Sequence, residues 1–173
     1  MAELKFNTPA GNPVARKMLI LYMNTGSKEL PKWSAIGRRV EDSSMEFDWS
    51  ENASTDIFGD TYTEYKPPVI TQTFEPCVLD SADEALQKIW NQAIRDQDTG
   101  AMVNNDLLVV HTYAGTADTA VFAERYPSSA IRPSGLGGST NVGMPINVTF
   151  GGQREKGTAS VSEGVVTFTK EVA

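Results

Sequence analysis

The chain has one cysteine, one histidine and no apolar run approaching the roughly 18 residues that a membrane span needs. Each shortage excludes a class of function. Cys77 has no second cysteine to pair with, so no intramolecular disulfide staples the fold and nothing points to an oxidising compartment. A fold of 173 residues buries roughly 70% of its unfolded surface and needs no staple. Cys77 is therefore expected to be a small buried apolar side chain, since a nucleophilic thiol needs a base beside it. The one imidazole, His111, follows Leu107-Leu108-Val109-Val110 in a strand pattern. No GxSxG elbow accompanies it, which leaves a serine triad without support. A zinc site needs more than one histidine and one cysteine. No enzyme activity, metal or other cofactor is expected. The first residues lack the basic-then-apolar order of a signal peptide, so synthesis in a cytoplasm is expected, and the sequons Asn52-Ala53-Ser54 and Asn147-Val148-Thr149 are set aside.

Cations are also scarce: 15 Lys and Arg stand against 22 Asp and Glu, a net charge of −7. That balance disfavours nucleic-acid binding through counterion release, and it suits a surface that repels DNA sliding past it. The shortage is sharpest between Glu41 and Glu64, where Glu41, Asp42, Glu46, Asp48, Glu51, Asp56, Asp60 and Glu64 occur without one lysine or arginine. Within it, Ser44 to Ser50 alternates strictly. Met45, Phe47 and Trp49 fall on one face and Glu46 and Asp48 on the other, which predicts a half-buried strand with an acidic outer face. Thr61 to Lys66 and Val69 to Phe74 are its expected return, with Pro67-Pro68 at an edge or bend because proline cannot donate to a ladder. Residues 41–68 thus read as an extended acidic loop or hairpin. The segment lacks the glycine turn of an EF-hand, and Glu46 and Asp48 share one strand face with no sugar-stacking cleft beside them.

Elsewhere the chain reads as strands around one helix. Residues 1–15, with Phe6, Pro9 and Pro13, predict an irregular arm that needs a partner or remains mobile. Lys17 to Met23 is a nearly continuous apolar strand, and Trp33 to Val40 a second candidate. Ser81-Ala82-Asp83-Glu84 matches a capping box and opens a helix over about residues 81–97, its stripe formed by Ala82, Ala85, Leu86, Ile89, Trp90, Ala93 and Ile94. Asp83, Gln87, Lys88, Asn91 and Arg95 are expected to face solvent. Strands follow at Asp106 to Tyr113 and Thr119 to Tyr126, then a loop from Pro127 to Gly143, a strand from Met144 to Phe150, and a hairpin of Thr158 to Ser162 and Val165 to Val172 around Glu163-Gly164. The glycines from Gly135 to Gly143 match neither GxGxxG nor a P-loop, and no repeat of fixed period appears. One domain spanning 1–173 is expected, mainly β, as a β-sandwich or partial barrel with one flanking α-helix.

Three features together resemble the major tail tube proteins of long-tailed bacteriophages. The first is the order of elements: strands, a long loop or hairpin, one central helix, then strands. The second is Leu136-Gly137-Gly138 leading into Met144 to Phe150 and Gly151-Gly152. The third is the closing hairpin from Gly157 to Phe168. The resemblance implies a non-contractile, siphovirus-like tail whose hexameric rings stack into a tube that conducts DNA. Its partners are further copies of the chain, a tape measure protein, and tail terminator and distal tail proteins. On that resemblance, Glu46 and Asp48 face either an acidic lumen or the solvated exterior. Glu51, Asp56, Phe58, Asp60 and Tyr62 belong to a loop reaching the adjacent ring, and Phe6, Pro9 and Pro13 to an inter-subunit arm. Two alternatives stay open: a stand-alone β-sandwich that binds carbohydrate or a receptor through Trp33 or Trp49, and the tube of a contractile tail or secretion system.

Overall fold

The computed structural model describes residues 3–172. Met1 and Ala2 of the expected arm lie outside the described residues. After a 3-10 turn at Arg16–Met18, the elements run β1 (Leu19–Asn24), β2 (Trp33–Ile36), β3 (Met45–Asp48), β4 (Asn52–Thr55), β5 (Thr61–Glu64), β6 (Val69–Phe74), α1 (Glu84–Trp90), α2 (Thr99–Met102), β7 (Asn105–Thr116), β8 (Ala120–Pro133), β9 (Ile146–Thr149), β10 (Glu155–Ser162) and β11 (Val165–Lys170). The protein is mainly β, with a helix on its flank.

All strands except β4 and β5 belong to one antiparallel hydrogen-bonded network that bends at β8. The first half of β8 pairs with β7 on one side and β10 on the other, and its last residues, Ala130–Pro133, pair with β9. One half-sheet is therefore β2-β1-β7-β8-β10-β11, and the other is β8-β9-β6-β3. The loop expected from Pro127 to Gly143 begins only after Pro133, because β8 continues past Pro127. Between Leu107↔Tyr126 and Asn105↔Ser129 the register slips, so Pro127 sits in a bulge where its missing N–H costs no ladder bond. Ser128 and Ser129 fasten the bend, Ser128 N donating to Gly151 O at 3.3 Å and Gly151 N to Ser129 Oγ at 3.1 Å.

The two half-sheets share a core. Leu21, Met23, Leu107 and Val109 meet Ile70, Phe74, Ile146 and Val148 between them, and α1 adds Ala85, Leu86 and Ile89. The other face of the first half-sheet carries a second cluster, with Tyr22, Trp33, Leu108, Val110, Val121 and Val166, closed as β10 and β11 curl back toward β2. The unbroken apolar runs of β1 and β7 follow from this two-sided burial. The closing hairpin turns at Glu163 (φ 49°) and Gly164 (φ 79°), the two positive φ values of a primed turn, as its sequence predicts.

Several boundaries move. The second strand stops at Ile36, short of Val40. The helix begins at Glu84, and its N-cap is the buried Asp83, whose Oδ1 accepts from Leu86 N at 3.0 Å; Ser81 is not the cap and Asp83 is not solvated. Asp80 is the reason: its Oδ1 accepts from Ala82 N at 2.9 Å and holds the preceding residues in a turn. Ala82 is exposed, and Lys88 reaches inward, Nζ donating to Asn24 O at 2.7 Å. Past Trp90 the helix continues as a π-helical turn to Arg95, and Gly100 lies inside α2, which Asp98 caps.

Candidate assembly surface

The strands β3 to β6 form one long antiparallel arm. At its root, Asp42 bridges Glu75, and β3 pairs with β6 from Met45↔Gln72 to Asp48↔Val69. Lys66 N then donates to Trp49 O at 3.0 Å. Beyond the positive φ of Ser50 and the facing Pro67-Pro68, β4 and β5 pair only with each other, from Asn52↔Glu64 to Thr55↔Thr61. Every residue of β4 and β5 is exposed. A two-stranded hairpin alone is marginal in water, so this one leans on its turn. Asp56 builds that turn: its Oδ1 accepts from Phe58 N at 2.8 Å and Asp60 N at 3.0 Å, and Oδ2 from Tyr62 Oη at 3.2 Å. The Asp60 amide, followed by those of Phe58 and Gly59 and the Tyr62 hydroxyl, holds the Asp56 carboxyl below the usual aspartate range. At the tip, Ile57 is 95% exposed and Phe58 85%.

The alternation in β3 divides its faces as predicted, with Met45 and Phe47 opposite Ile70 and Gln72 on the core side, and Glu46 and Asp48 exposed on the other. The expected burial of Phe47 and Trp49 does not follow. Each is 49% exposed, because the end of β3 overhangs the sandwich. Their rings stack at 6.1 Å over a groove of about 720 Å³ shared with Tyr65, Tyr126 and Phe150. Trp33 lies buried in the second core cluster with the Arg125 guanidinium 5.9 Å from its ring, so it offers no glycan-stacking face.

Polar side chains brace the strands against one another. Glu124 is buried and accepts from Arg154 Nε at 2.6 Å and from His111 Nε2 at 3.2 Å, while His111 Nδ1 meets Tyr113 Oη at 2.8 Å. Burial pushes the Glu124 carboxyl up, but the hydrogen bonds from His111 and Arg154 outweigh it and hold the group below the usual range. Asp106 grips Arg125 at 2.9 and 2.8 Å, and Glu155 joins Lys170 at 2.6 Å, tying β7, β8, β10 and β11 together. Cys77 is buried, and desolvation with the charges of Asp83 and Glu75 pushes its thiol up to about 12. Such a thiol is unreactive at neutral pH.

Part of the expected irregular arm lies against β7 of the same molecule. Phe6 bridges Ala114, Asn7 N donates to Tyr113 O at 2.8 Å, and Gly115 N donates to Lys5 O at 3.0 Å. These contacts use the stretch of β7 between His111 and Gly115 where its register with β8 slips. Phe6 also lays its ring edge-on to Tyr113 of the same molecule at 5.2 Å, while Pro9 and Pro13 stay exposed. Glu51, Asp56, Phe58, Asp60 and Tyr62 all lie on the free half of the arm, Glu46 and Asp48 on its root, and Phe6 against β7.

One feature escaped the sequence reading. A cavity of about 420 Å³ opens beside the arm's root, with Leu19, Ile36, Val40 and Phe74 among its apolar lining and Arg16, Lys17 and Arg38 at its edge. The run Arg16-Lys17 and the pair Arg38-Arg39 were visible as charges, but only the fold of β1 against the β2 exit brings them together.

No family model matches the chain, and no curated protein matches it. Among solved structures, it is similar to a chain of the PVC sheath-tube complex, an extracellular contractile injection system in its extended state. The two are 12% identical, the match covers 85% of this chain and 93% of that one, and the TM-score is 0.48. It is also similar to the tube-terminating cap of the anti-feeding prophage, at 15% identity, 88% and 96% coverage and a TM-score of 0.47.

Proposed function

We propose that this chain is a structural subunit of a phage-like tail tube, in which six copies close into a ring and rings stack around a channel that conducts DNA. The observation that carries the reading is the arm: a hairpin standing clear of the body, acidic along its length and ending in the bare pair Ile57 and Phe58. Exposed apolar tips of this kind mark contact surfaces, and a chain that must serve many identical positions finds its partner in another copy. The sheet edges at β2, β3 and β11 support the same reading, because unpaired strand edges call for cover by neighbours. Its partners at the tube ends are a tape measure protein and the terminator and distal tail proteins, and its destination is the tail of a virion. The acidic face of Glu46 and Asp48 lines the bore, where it repels DNA without contacting bases.

The test is microscopy of the parent particle together with the purified, concentrated protein. Hollow filaments built of sixfold rings, with this chain's density in the wall, are the expected result. A compact monomer at all concentrations, absent from any tube in the particle, ends the proposal. A second reading draws on the stacked Phe47 and Trp49 above their groove: a binding module for a glycan or receptor. It requires that a Trp49→Ala variant lose glycan affinity while the protein never polymerises.

A further inference from the structure

We infer that the basic cavity beside Arg16, Lys17 and Arg38 receives the Ile57-Phe58 tip of a second copy, an inference that rests on the tube reading and supplies its stacking contact. The first argument is geometric. The cavity includes Ser43, Gln72 and Phe74, which lie where the arm's ladder begins, and the tip is where that ladder ends. Donor and acceptor stand at opposite ends of one antiparallel ribbon. The run from Ser43 to Ile57 can span at most about 45 Å at roughly 3.3 Å per residue. A molecule cannot fill its own cavity without folding the ribbon back on itself, whereas a copy displaced along it can. A contact between different surfaces at opposite poles is heterologous and propagates without closing, which is the symmetry a stack of rings requires.

Chemistry gives the second argument. The tip is an apolar pair flanked by Asp56 and Asp60, with Glu51 and Glu64 further down the ribbon and no cation among residues 41–64. The cavity is lined by Leu19, Ile36, Val40 and Phe74 among others, and its charged lining is Arg16, Lys17 and Arg38 against a single acid, Glu41. None of these three cations makes an ion pair among the described residues; Arg16 is held by the Ser43 and Leu19 carbonyls, and Lys17 and Arg38 remain to meet an acidic partner. Gln72, buried in the cavity wall, gives its amide to Ser43 Oγ at 3.0 Å and leaves Oε1 without a donor. The aromatic groove under Phe47 and Trp49 is a poorer host: its Arg154 is already bound to the groove's own Glu124, which leaves Lys66 as its one unpaired cation among the described residues, against three in the basic cavity.

Cross-linking tests the pairing. Two full-length variants, one Arg38→Cys and the other Phe58→Cys, are mixed and oxidised, with the native Cys77 left buried. A disulfide-linked product joining the two different variants is expected. Lys17→Glu in the first chain should cut its yield at least tenfold, and Asp60→Lys in the second should restore it. Arg16 stays unchanged, because its guanidinium holds the Ser43 and Leu19 carbonyls at 2.7 Å. If tubes form but Phe58→Cys links instead to Tyr65→Cys, or to neither, this acceptor is wrong while the tube reading stands. If no cross-link occurs and the unsubstituted protein also forms no tube under the same conditions, both readings fall.

Discussion

At the residue scale, the helix start is the sharpest case of two signals competing within a few positions. Ser81 and Glu84 have the spacing of a capping box, yet Asp83 accepts the Leu86 amide, because Asp80 has already drawn Ala82 into a turn. Replacing Asp83 by Ala should therefore destabilise the protein by about 1 kcal/mol, whereas Asp83→Ser recovers most of that and Ser81→Ala stays within about 0.5 kcal/mol. Urea midpoints of the three variants decide it; an equal loss in Ser81→Ala and Asp83→Ala would restore the serine as the cap. The helix itself was legible because Ala85, Leu86 and Ile89 repeat at three- and four-residue steps. Its cap was ambiguous because serine and aspartate both carry an oxygen that can accept from a free amide, and only the preceding turn selects between them. The same limit applies to the roles of charged groups. Glu124 and His111 stand on the consecutive strands β7 and β8, and it is the pairing register of those strands, not any local pattern, that makes them partners in a buried brace.

At the element scale, what the alternation of Met45, Glu46, Phe47 and Asp48 encodes is the division of faces, and that division holds. Whether a face is covered depends on what folds across from it, which is why Phe47 and Trp49 stay half exposed. β8 was legible only to Tyr126, since Pro127 followed by serines carries turn chemistry, and the bulge that tolerates it exists only once β7 is alongside. The free hairpin depends on a single carboxylate. Asp56 has a lowered pKa, so its contribution is fully present above the ordinary aspartate value near ~3.9 and is lost as pH falls through the lower folded value. Below about pH 4 the amide NMR signals of Phe58 and Asp60 should therefore move toward random-coil positions while those of Val109 and Val110 in β7 stay folded. Asp56→Ala should show the loosened tip already at neutral pH. A tip that loosens only together with the core would mean that Asp56 does not hold the turn.

At the scale of the whole molecule, the acid-rich balance and the exposed arm make opposite demands on assembly. A net charge of −7 per copy makes identical copies repel, and the proposed stacking would have to overcome that through local contacts between unlike patches. On the proposed tube reading, that acidity serves the passage of DNA. Glu46 and Asp48 allow this to be separated from folding, because both are exposed on the outer face of an edge strand and neither makes an ion pair among the described residues. Changing both to Lys adds four charges, taking −7 to −3, and lysine on a sheet edge is well tolerated. Lysine cannot accept the Ser50 amide that Asp48 Oδ1 holds at 3.0 Å, so the double variant should lose about 1 kcal/mol at the bend into the hairpin; on the tube reading it should still build tubes, but particles carrying it should eject DNA more slowly, with the delay shrinking as salt screens the new attraction. Ejection kinetics followed by a DNA-binding dye at two ionic strengths read this directly. Unchanged kinetics in intact particles would put this face on the outside of the tube and leave the bore to be lined by another strand.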